Sequence, residues 1–125
     1  MTSSRPYLVR AVNEWIIDNG FTPQIVVDAT IRDVAVPHQY VQDGRIVLNI
    51  SPSAVRSLML GNDAVEFSAR FAGTPFQIYI PMRAVLAIVA RENGAGMSFP
   101  EEAGDHEPEP TPPPDKPRPS LKVVK

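Results

Sequence analysis

Proline placement divides this chain into parts that cannot fold in the same way. Eight of its 14 prolines follow Phe99, in the segment PEEAGDHEPEPTPPPDKPRP. This segment also has many carboxylates and almost no large apolar side chains. Such a segment cannot bury enough apolar surface to offset the entropy of ordering the chain. We therefore predict a globular domain over residues 1–99, a disordered, polyproline-leaning acidic linker over residues 100–117, and a short apolar and basic end over residues 118–125.

The final segment, RPSLKVVK, carries apolar side chains that a solvated linker does not need. Leu121 and Val123 alternate with Lys122, a pattern that suits an extended peptide adding to another protein as a strand. The alternative is an apolar end with no role. Because a proline-rich chain advances about 3.1 Å per residue, some 17 linker residues reach roughly 50 Å when fully stretched.

The remaining composition is that of a small folded domain. The chain is 43% hydrophobic, has a net charge of −2 and contains no cysteine. This charge argues against nucleic-acid binding, which normally requires a basic face. The lack of cysteine excludes disulfides, thiolate zinc sites and a cysteine nucleophile, and it fits a reducing compartment. Since we find no apolar signal core and no apolar run of bilayer length, we expect a soluble cytoplasmic protein with no membrane partner.

An amphipathic helix is predicted in SSRPYLVRAVNEWIIDNGF. Ser3 or Ser4 can cap it, Pro6 suits its first turn, and Gly20 can end it in a left-handed conformation. Its apolar side chains recur at helical spacing on one stripe, which either packs in the core or forms a self-complementary dimer contact. The stripe consists of Tyr7, Leu8, Ala11, Val12, Trp15 and Ile16.

Short β-rich runs follow the helix. We expect strands in QIVVDAT and VAVP, and a hairpin around Asp43-Gly44 in VQDGRIVLNI, because this dipeptide favours a two-residue turn. SPSAVRSLMLG opens like a helical turn after Ser51, while its later part, LML, also suits extended chain. AVEFSARFAG and PFQIYI alternate apolar and polar side chains as half-buried strands do. PMRAVLAIVARENG is predicted as a second helical segment near residue 85.

Signals for enzyme chemistry are weak. His38 and His106 lie in different regions, and no spacing of Asp or Glu around them supports a metal site. We find no phosphate-binding glycine loop and no nucleophile elbow. We therefore expect neither catalysis nor a cofactor. Arg70, next to Phe71, is either a solvated strand arginine or a charged lip beside a peptide groove.

Taken together, five stretches resemble the stringent starvation protein B family, bacterial adaptors that deliver substrates to the protease ClpXP. The stretches are RPYLVRAVNEWIIDNGFTPQIVVDAT, VPHQYVQDGRIVLNISPSAV, NDAVEFSARFAG, AVLAIVARENGAGMSF and the end RPSLKVVK. The resemblance implies a mainly β fold, an open antiparallel β-barrel of Sm/SH3-like topology with an N-terminal helix and short further helical segments. It also implies a homodimer, whose helix contact involves Tyr7, Leu8, Ala11 and Trp15.

The resemblance implies two further binding regions. A groove holds the ssrA tag, which transfer-messenger RNA adds to stalled nascent chains; the matching residues are Val47, Leu48, Asn49, Ile50, Ala54, Val55, Phe67, Ala69, Arg70 and Phe71. The end of the chain binds the N-terminal zinc-binding domain of the unfoldase ClpX, through Arg118, Pro119, Leu121, Lys122, Val123, Val124 and Lys125. The linker departs from the family pattern in being shorter and dominated by proline.

We therefore expect a non-enzymatic adaptor that tethers ssrA-tagged proteins to ClpX and so enhances their degradation. The alternative is an Sm-like RNA-binding module, which rests on fold analogy alone. The sequence carries no basic surface or aromatic-basic stacking strip of the kind that RNA recognition uses.

Overall fold

The computed structural model describes residues 3–100, which form one N-terminal helix and two antiparallel sheets. The four-stranded sheet has the order β2-β1-β6-β7, and the three-stranded sheet has the order β3-β4-β5. The sheets do not close into a barrel, so the prediction of a mainly β, open antiparallel fold is confirmed. The elements are α1 (Arg5–Asp18), β1 (Pro23–Asp28), β2 (Arg45–Asn49), β3 (Val55–Leu60), β4 (Ala64–Phe71), β5 (Thr74–Pro81), β6 (Val85–Ala90) and β7 (Gly96–Ser98), with single 3₁₀ turns at His38–Tyr40 and Met82–Ala84.

Helix α1 begins and ends at the predicted signals. The Ser3 hydroxyl accepts a hydrogen bond from the Arg5 amide at 3.1 Å, while the Ser4 side chain caps nothing. Pro6 lies in the first turn, and Gly20 has a φ of +77°, which is a left-handed conformation that glycine adopts without strain. Across residues 3–100, no helix is both long and apolar enough to cross a bilayer.

The predicted hairpin turn is a two-residue turn. Asp43 and Gly44 both have positive φ, 53° and 77°, as a type I′ turn requires. Gln42 and Arg45 exchange backbone hydrogen bonds of 2.8 and 2.9 Å across it. The ladder stops after that pair, because the chain before Gln42 lies in the 3₁₀ turn His38–Tyr40 instead of a strand.

The core is formed by the inward faces of the two sheets and one face of α1. On β4 and β5 the predicted alternation is confirmed, with Phe67 paired to Ile78 and both almost fully buried. Ile25 and Ile88 are paired in the other sheet and have no exposed surface. Complete burial of an apolar side chain of this size contributes about 1.5–3 kcal/mol each. The core therefore depends on residues from both sheets.

The prediction of a second helix near residue 85 is wrong. The only helical part is the 3₁₀ turn Met82–Ala84, and the following residues form β6, which lies between β1 and β7. Val85, Leu86, Ile88 and Ala90 are all buried. A strand covered on both faces reads as a continuous apolar run, which helical periodicity cannot exclude over so few residues. Pairing with β1 stabilises the extended conformation of this segment over a helix.

The region around VAVP also differs from its prediction. Ala35 forms only an isolated bridge with Tyr79, and the residues around it do not extend this bridge into a strand. Pro37 precedes the 3₁₀ turn, consistent with its inability to donate to a ladder. The turn predicted after Ser51 is present, and the extended alternative for LML is the correct one, since these residues belong to β3.

Candidate functional site

A groove of about 260 Å³, which we call the edge groove, lies between β2, the turn that follows it, and β4. Eight of the ten residues expected from the resemblance line it: Val47, Leu48, Asn49, Ala54, Phe67, Ala69, Arg70 and Phe71. Ile50 lies outside it and has no exposed surface. Val55, also buried, lines a neighbouring cavity.

The groove residues divide into a buried floor and an exposed rim. Leu48 and Phe67 are 3% and 1% exposed, so they belong to the core and offer only a small apolar surface to a ligand. Val47 is 54% exposed on the rim. The Asn49 side chain accepts a hydrogen bond from the Ser51 amide at 2.9 Å, which fixes the turn after β2. Strand alternation therefore gives neighbouring positions different roles.

Part of the β2 backbone faces away from its sheet. The Ile50 amide donates to the Pro23 carbonyl at 3.0 Å, which sets the positions of β2 that bond to β1. Because bonded positions alternate in an antiparallel ladder, the N–H and C=O groups of Val47 and Asn49 point to the free edge. Of the strands in residues 3–100, none besides β1 pairs with β2. This free edge can accept an extended peptide as an added strand.

An aromatic cluster adjoins the edge groove through Phe71, which is the one ring of the cluster in the groove lining. Phe71 lies 5.3 Å from Tyr40 and 6.2 Å from Phe76 between ring centroids, the second pair edge-on. Tyr40 remains 42% exposed. Such rings give a rigid apolar wall. The alternation in PFQIYI places Phe76 on the face of Phe71, but no sequence signal connects Tyr40 to either ring, because it comes from an irregular segment.

A second hollow of about 640 Å³, which we call the arginine cleft, adjoins the edge groove. It is lined by Pro52, Ser53, Ala54, Val55, Arg56, Ser68, Ala69, Arg70 and Pro75, so the two hollows share Ala54, Ala69 and Arg70. The Arg70 guanidinium donates to the Gly73 carbonyl at 3.1 Å. Arg56 was not predicted as a site residue, although its alternation with Val55 on β3 placed it on the solvent side.

The two aromatic side chains of the predicted α1 stripe face solvent, while Ile16 of the same stripe is buried. Tyr7 and Trp15 are 53% and 52% exposed, whereas Val9 and Ile16 supply the buried face of the helix. Ala11 is exposed and Leu8 half-buried. The sequence left two alternatives for Tyr7 and Trp15, packing in the core or forming a dimer contact, and the first of these is wrong. Exposed aromatic side chains on one helix face are available to another protein surface.

A buried arginine ties the last described residues to the first helix. Arg5 is 5% exposed and donates to the carbonyls of Arg83 at 3.2 Å, Val85 at 2.9 Å and Pro100. Its guanidinium also lies 5.1 Å from the centre of the Phe99 ring. These contacts join the first turn of α1 to the start of β6 and to the last described residues. Residues 101–125, with nearly all of the predicted linker and the whole predicted ClpX-docking end, lie outside the described part.

Metal chemistry finds no support in the part of the chain that the structure describes. No group of three or more His, Cys, Asp or Glu side chains in residues 3–100 could hold a metal ion. His38 lies in the 3₁₀ turn His38–Tyr40, and His106 lies beyond residue 100.

Comparisons with known proteins agree with the motifs. The family described as Stringent starvation protein B matches residues 3–125. The Stringent starvation protein B homolog of Haemophilus influenzae is 58% identical over 102 residues, which cover 81% of this chain and 68% of that protein. The similarity thus includes both the edge groove and the helix stripe.

Proposed function

This chain belongs to the stringent starvation protein B family, and from that premise we infer that it is a non-enzymatic adaptor of the ClpXP protease. We propose that the edge groove binds the ssrA tag of stalled translation products. Residues 118–125 bind the N-terminal zinc-binding domain of ClpX. Tyr7, Leu8, Ala11 and Trp15 form the contact of a cytoplasmic homodimer.

The free edge of β2 is the observation that carries the tag proposal. An extended peptide placed there bonds to the outward N–H and C=O groups of Val47 and Asn49, whatever its side chains. Its alternate side chains then meet Val47 and the aromatic wall at Phe71. The main chain supplies affinity and the pockets supply selectivity, as tag recognition requires.

Tethering explains how such a protein accelerates degradation without any chemistry of its own. The groove holds the tagged protein, and the end of the same chain holds the unfoldase. Linking two weak contacts raises the effective concentration, commonly by 10²–10⁴ in avidity. A homodimer carries two ClpX-docking ends, which increases this effect. Weak individual contacts suit the task because the substrate must pass on to the translocating machine.

Fluorescence anisotropy of a labelled tag peptide tests the groove directly. We expect saturable binding of micromolar or tighter affinity by the full chain and by a chain that ends at residue 117. The shortened chain should also lose its stimulation of ClpXP degradation. If it stimulates degradation fully, the tether mechanism is wrong. If neither form binds the tag, the groove has another ligand.

A pair of matched substitutions separates groove binding from general surface effects. Val47→Asp places a charge on the apolar rim, and Met59→Asp places the same charge on β3 at a side chain that is 62% exposed and lines neither hollow. Both proteins should fold, since both positions are exposed. Only Val47→Asp should weaken tag binding. Equal affinities would remove the edge groove as the binding site.

A further inference from the structure

The arginine cleft is chemically suited to a carboxylate-rich ligand. Arg56 and Arg70 line it with the hydroxyls of Ser53 and Ser68, and its lining contains no carboxylate. Guanidinium groups bind carboxylates through paired hydrogen bonds, and their charge attracts acidic segments. Glu66, two positions before Ser68 on the same strand, lies outside the lining. Acidic side chains are therefore drawn to the Arg70 end of the cleft.

The chain itself carries a matching segment within reach. Residues 101–109, EEAGDHEPE, contain five carboxylates and no lysine or arginine. The segment follows Pro100, whose carbonyl accepts a hydrogen bond from Arg5, and Arg5 lines a small hollow together with Asp63, directly before β4. From the start of β4 to Arg70 is about 20 Å at 3.3 Å per strand residue. Nine residues span about 28 Å in polyproline conformation, which leaves about 8 Å for the step from Pro100 to β4 and brings the last two carboxylates, Glu107 and Glu109, to the cleft.

We propose that the acidic segment 101–109 docks in the arginine cleft of its own chain. The docked segment neutralises Arg56 and Arg70 in the absence of a peptide. Since the cleft and the edge groove share Ala54, Ala69 and Arg70, it also competes with a peptide in the edge groove. That consequence, which rests on the proposed function, makes the adaptor reject weakly bound peptides.

Paramagnetic relaxation measures the docking without any added peptide. The chain has no cysteine, so Thr111→Cys provides a single attachment site for a nitroxide just after the segment. We expect the amide signals of Arg56, Ser68 and Arg70 to broaden in the full-length protein, while those of β7 stay sharp. Raising the salt from about 0.05 M to about 1 M should restore the signals, because the screening length falls to about 3 Å.

Two matched variants test the charges. The first changes all five carboxylates, Glu101→Gln, Glu102→Gln, Asp105→Asn, Glu107→Gln and Glu109→Gln, and keeps every proline. The second is Arg56→Ser with Arg70→Ser, and its control is Arg45→Ser, an exposed arginine outside the cleft lining. The first two should abolish the broadening and the control should keep it. Broadening that survives neutralisation of the carboxylates, or absence of broadening at low salt, overturns the proposal.

A mixed sample identifies the chain that supplies the segment. Spin-labelled protein without ¹⁵N is combined with ¹⁵N-labelled protein without the nitroxide. Docking within the chain predicts no broadening of the cleft amides in this mixed sample, and broadening there would assign the segment to another copy and refute the proposal. A titration with tag peptide then measures competition. The carboxylate-neutral variant should bind the tag about 3–10-fold more tightly at low salt, where screening is weak. If the tag binds neither protein, the proposed function fails, while the relaxation result still decides the docking.

Discussion

Replacing Arg5 by methionine should destabilise the domain more than any change at an exposed arginine. Methionine keeps the apolar stem but removes the hydrogen bonds to the carbonyls of Arg83, Val85 and Pro100 and the contact with the Phe99 ring. A hydrogen bond with a charged group contributes about 1.5–3 kcal/mol, and a cation over a ring adds about 0.5–2 kcal/mol. Desolvation of a buried guanidinium costs several kcal/mol, which offsets part of this sum. We expect a net loss of about 2–4 kcal/mol.

Thermal unfolding followed by circular dichroism, at one fixed protein concentration, measures this loss. For a domain of this size, about 2–4 kcal/mol corresponds to a decrease in Tm of roughly 10–25 °C. The Tm of Arg5→Lys should lie between those of the wild type and Arg5→Met, because a single ammonium cannot reach three carbonyls in the fork geometry of arginine. The loss should appear mainly in faster exchange of the β6 amides, next to the carbonyls that Arg5 holds.

Arg10→Met is the matched control. Arg10 is only half-buried, donates to the Leu60 carbonyl at 2.9 Å and lies 4.7 Å from the centre of the Tyr7 ring. One partly solvated bond of this kind contributes about 0.5–1.5 kcal/mol. If Arg5→Met lowers the free energy of unfolding no more than Arg10→Met does, then burial and the three carbonyls do not make Arg5 important for stability, and the reasoning is refuted.

Three further changes test other parts of the structure. Val47→Pro removes an amide that makes no bond to β1, so the fold should persist while tag affinity, measured by anisotropy, falls about 2–10-fold for one lost hydrogen bond; unchanged affinity would exclude strand addition at that amide. Gly96→Ala would place a Cβ 2.0 Å from the Ile88 carbonyl oxygen, so β7 should separate from β6 at a cost of about 1–3 kcal/mol, seen as faster amide exchange in β6; protected amides would show that the hairpin adapts. Hydrogen bonds from the backbone amide and then the hydroxyl of Thr22 hold the pKa of Glu92 below its ordinary value of 4.5. The stability from this contact is present above that value and disappears as the pH falls through the lower folded pKa. The Tm difference between the wild type and Glu92→Gln should therefore shrink below about pH 4.5, and a difference that persists at lower pH would contradict this assignment.

The elements that could be predicted from the sequence are those specified by local chemistry. Asp43-Gly44 forms its turn because few other dipeptides tolerate two positive φ values. Gly20 ends α1 for a related reason, and Phe67 and Ile78 show their faces through simple alternation along β4 and β5. Each of these signals depends on a few neighbouring residues, and no distant contact opposes it.

Strand β6 could not be predicted in that way. Its residues are apolar at nearly every position, and a buried helix and a central strand require the same composition there. The choice depends on β1, whose Ile25 pairs with Ile88 across 62 residues of intervening chain. Where secondary structure is decided by a distant partner, sequence periodicity indicates burial and not the type of element.

The candidate site shows the same division between local and distant information. Eight of the ten residues that the resemblance implied line the edge groove, but their physical roles differ. Leu48 and Phe67 are core residues that form the floor. Truncating either should lower the free energy of unfolding, and tag binding should weaken because the domain is less stable. Val47 and Ala54 are exposed, so changes there should act on binding while stability stays near that of the wild type. Measuring unfolding and tag affinity on one set of variants would therefore separate floor from rim, and a Phe67→Ala protein of normal stability that binds no tag would contradict this division.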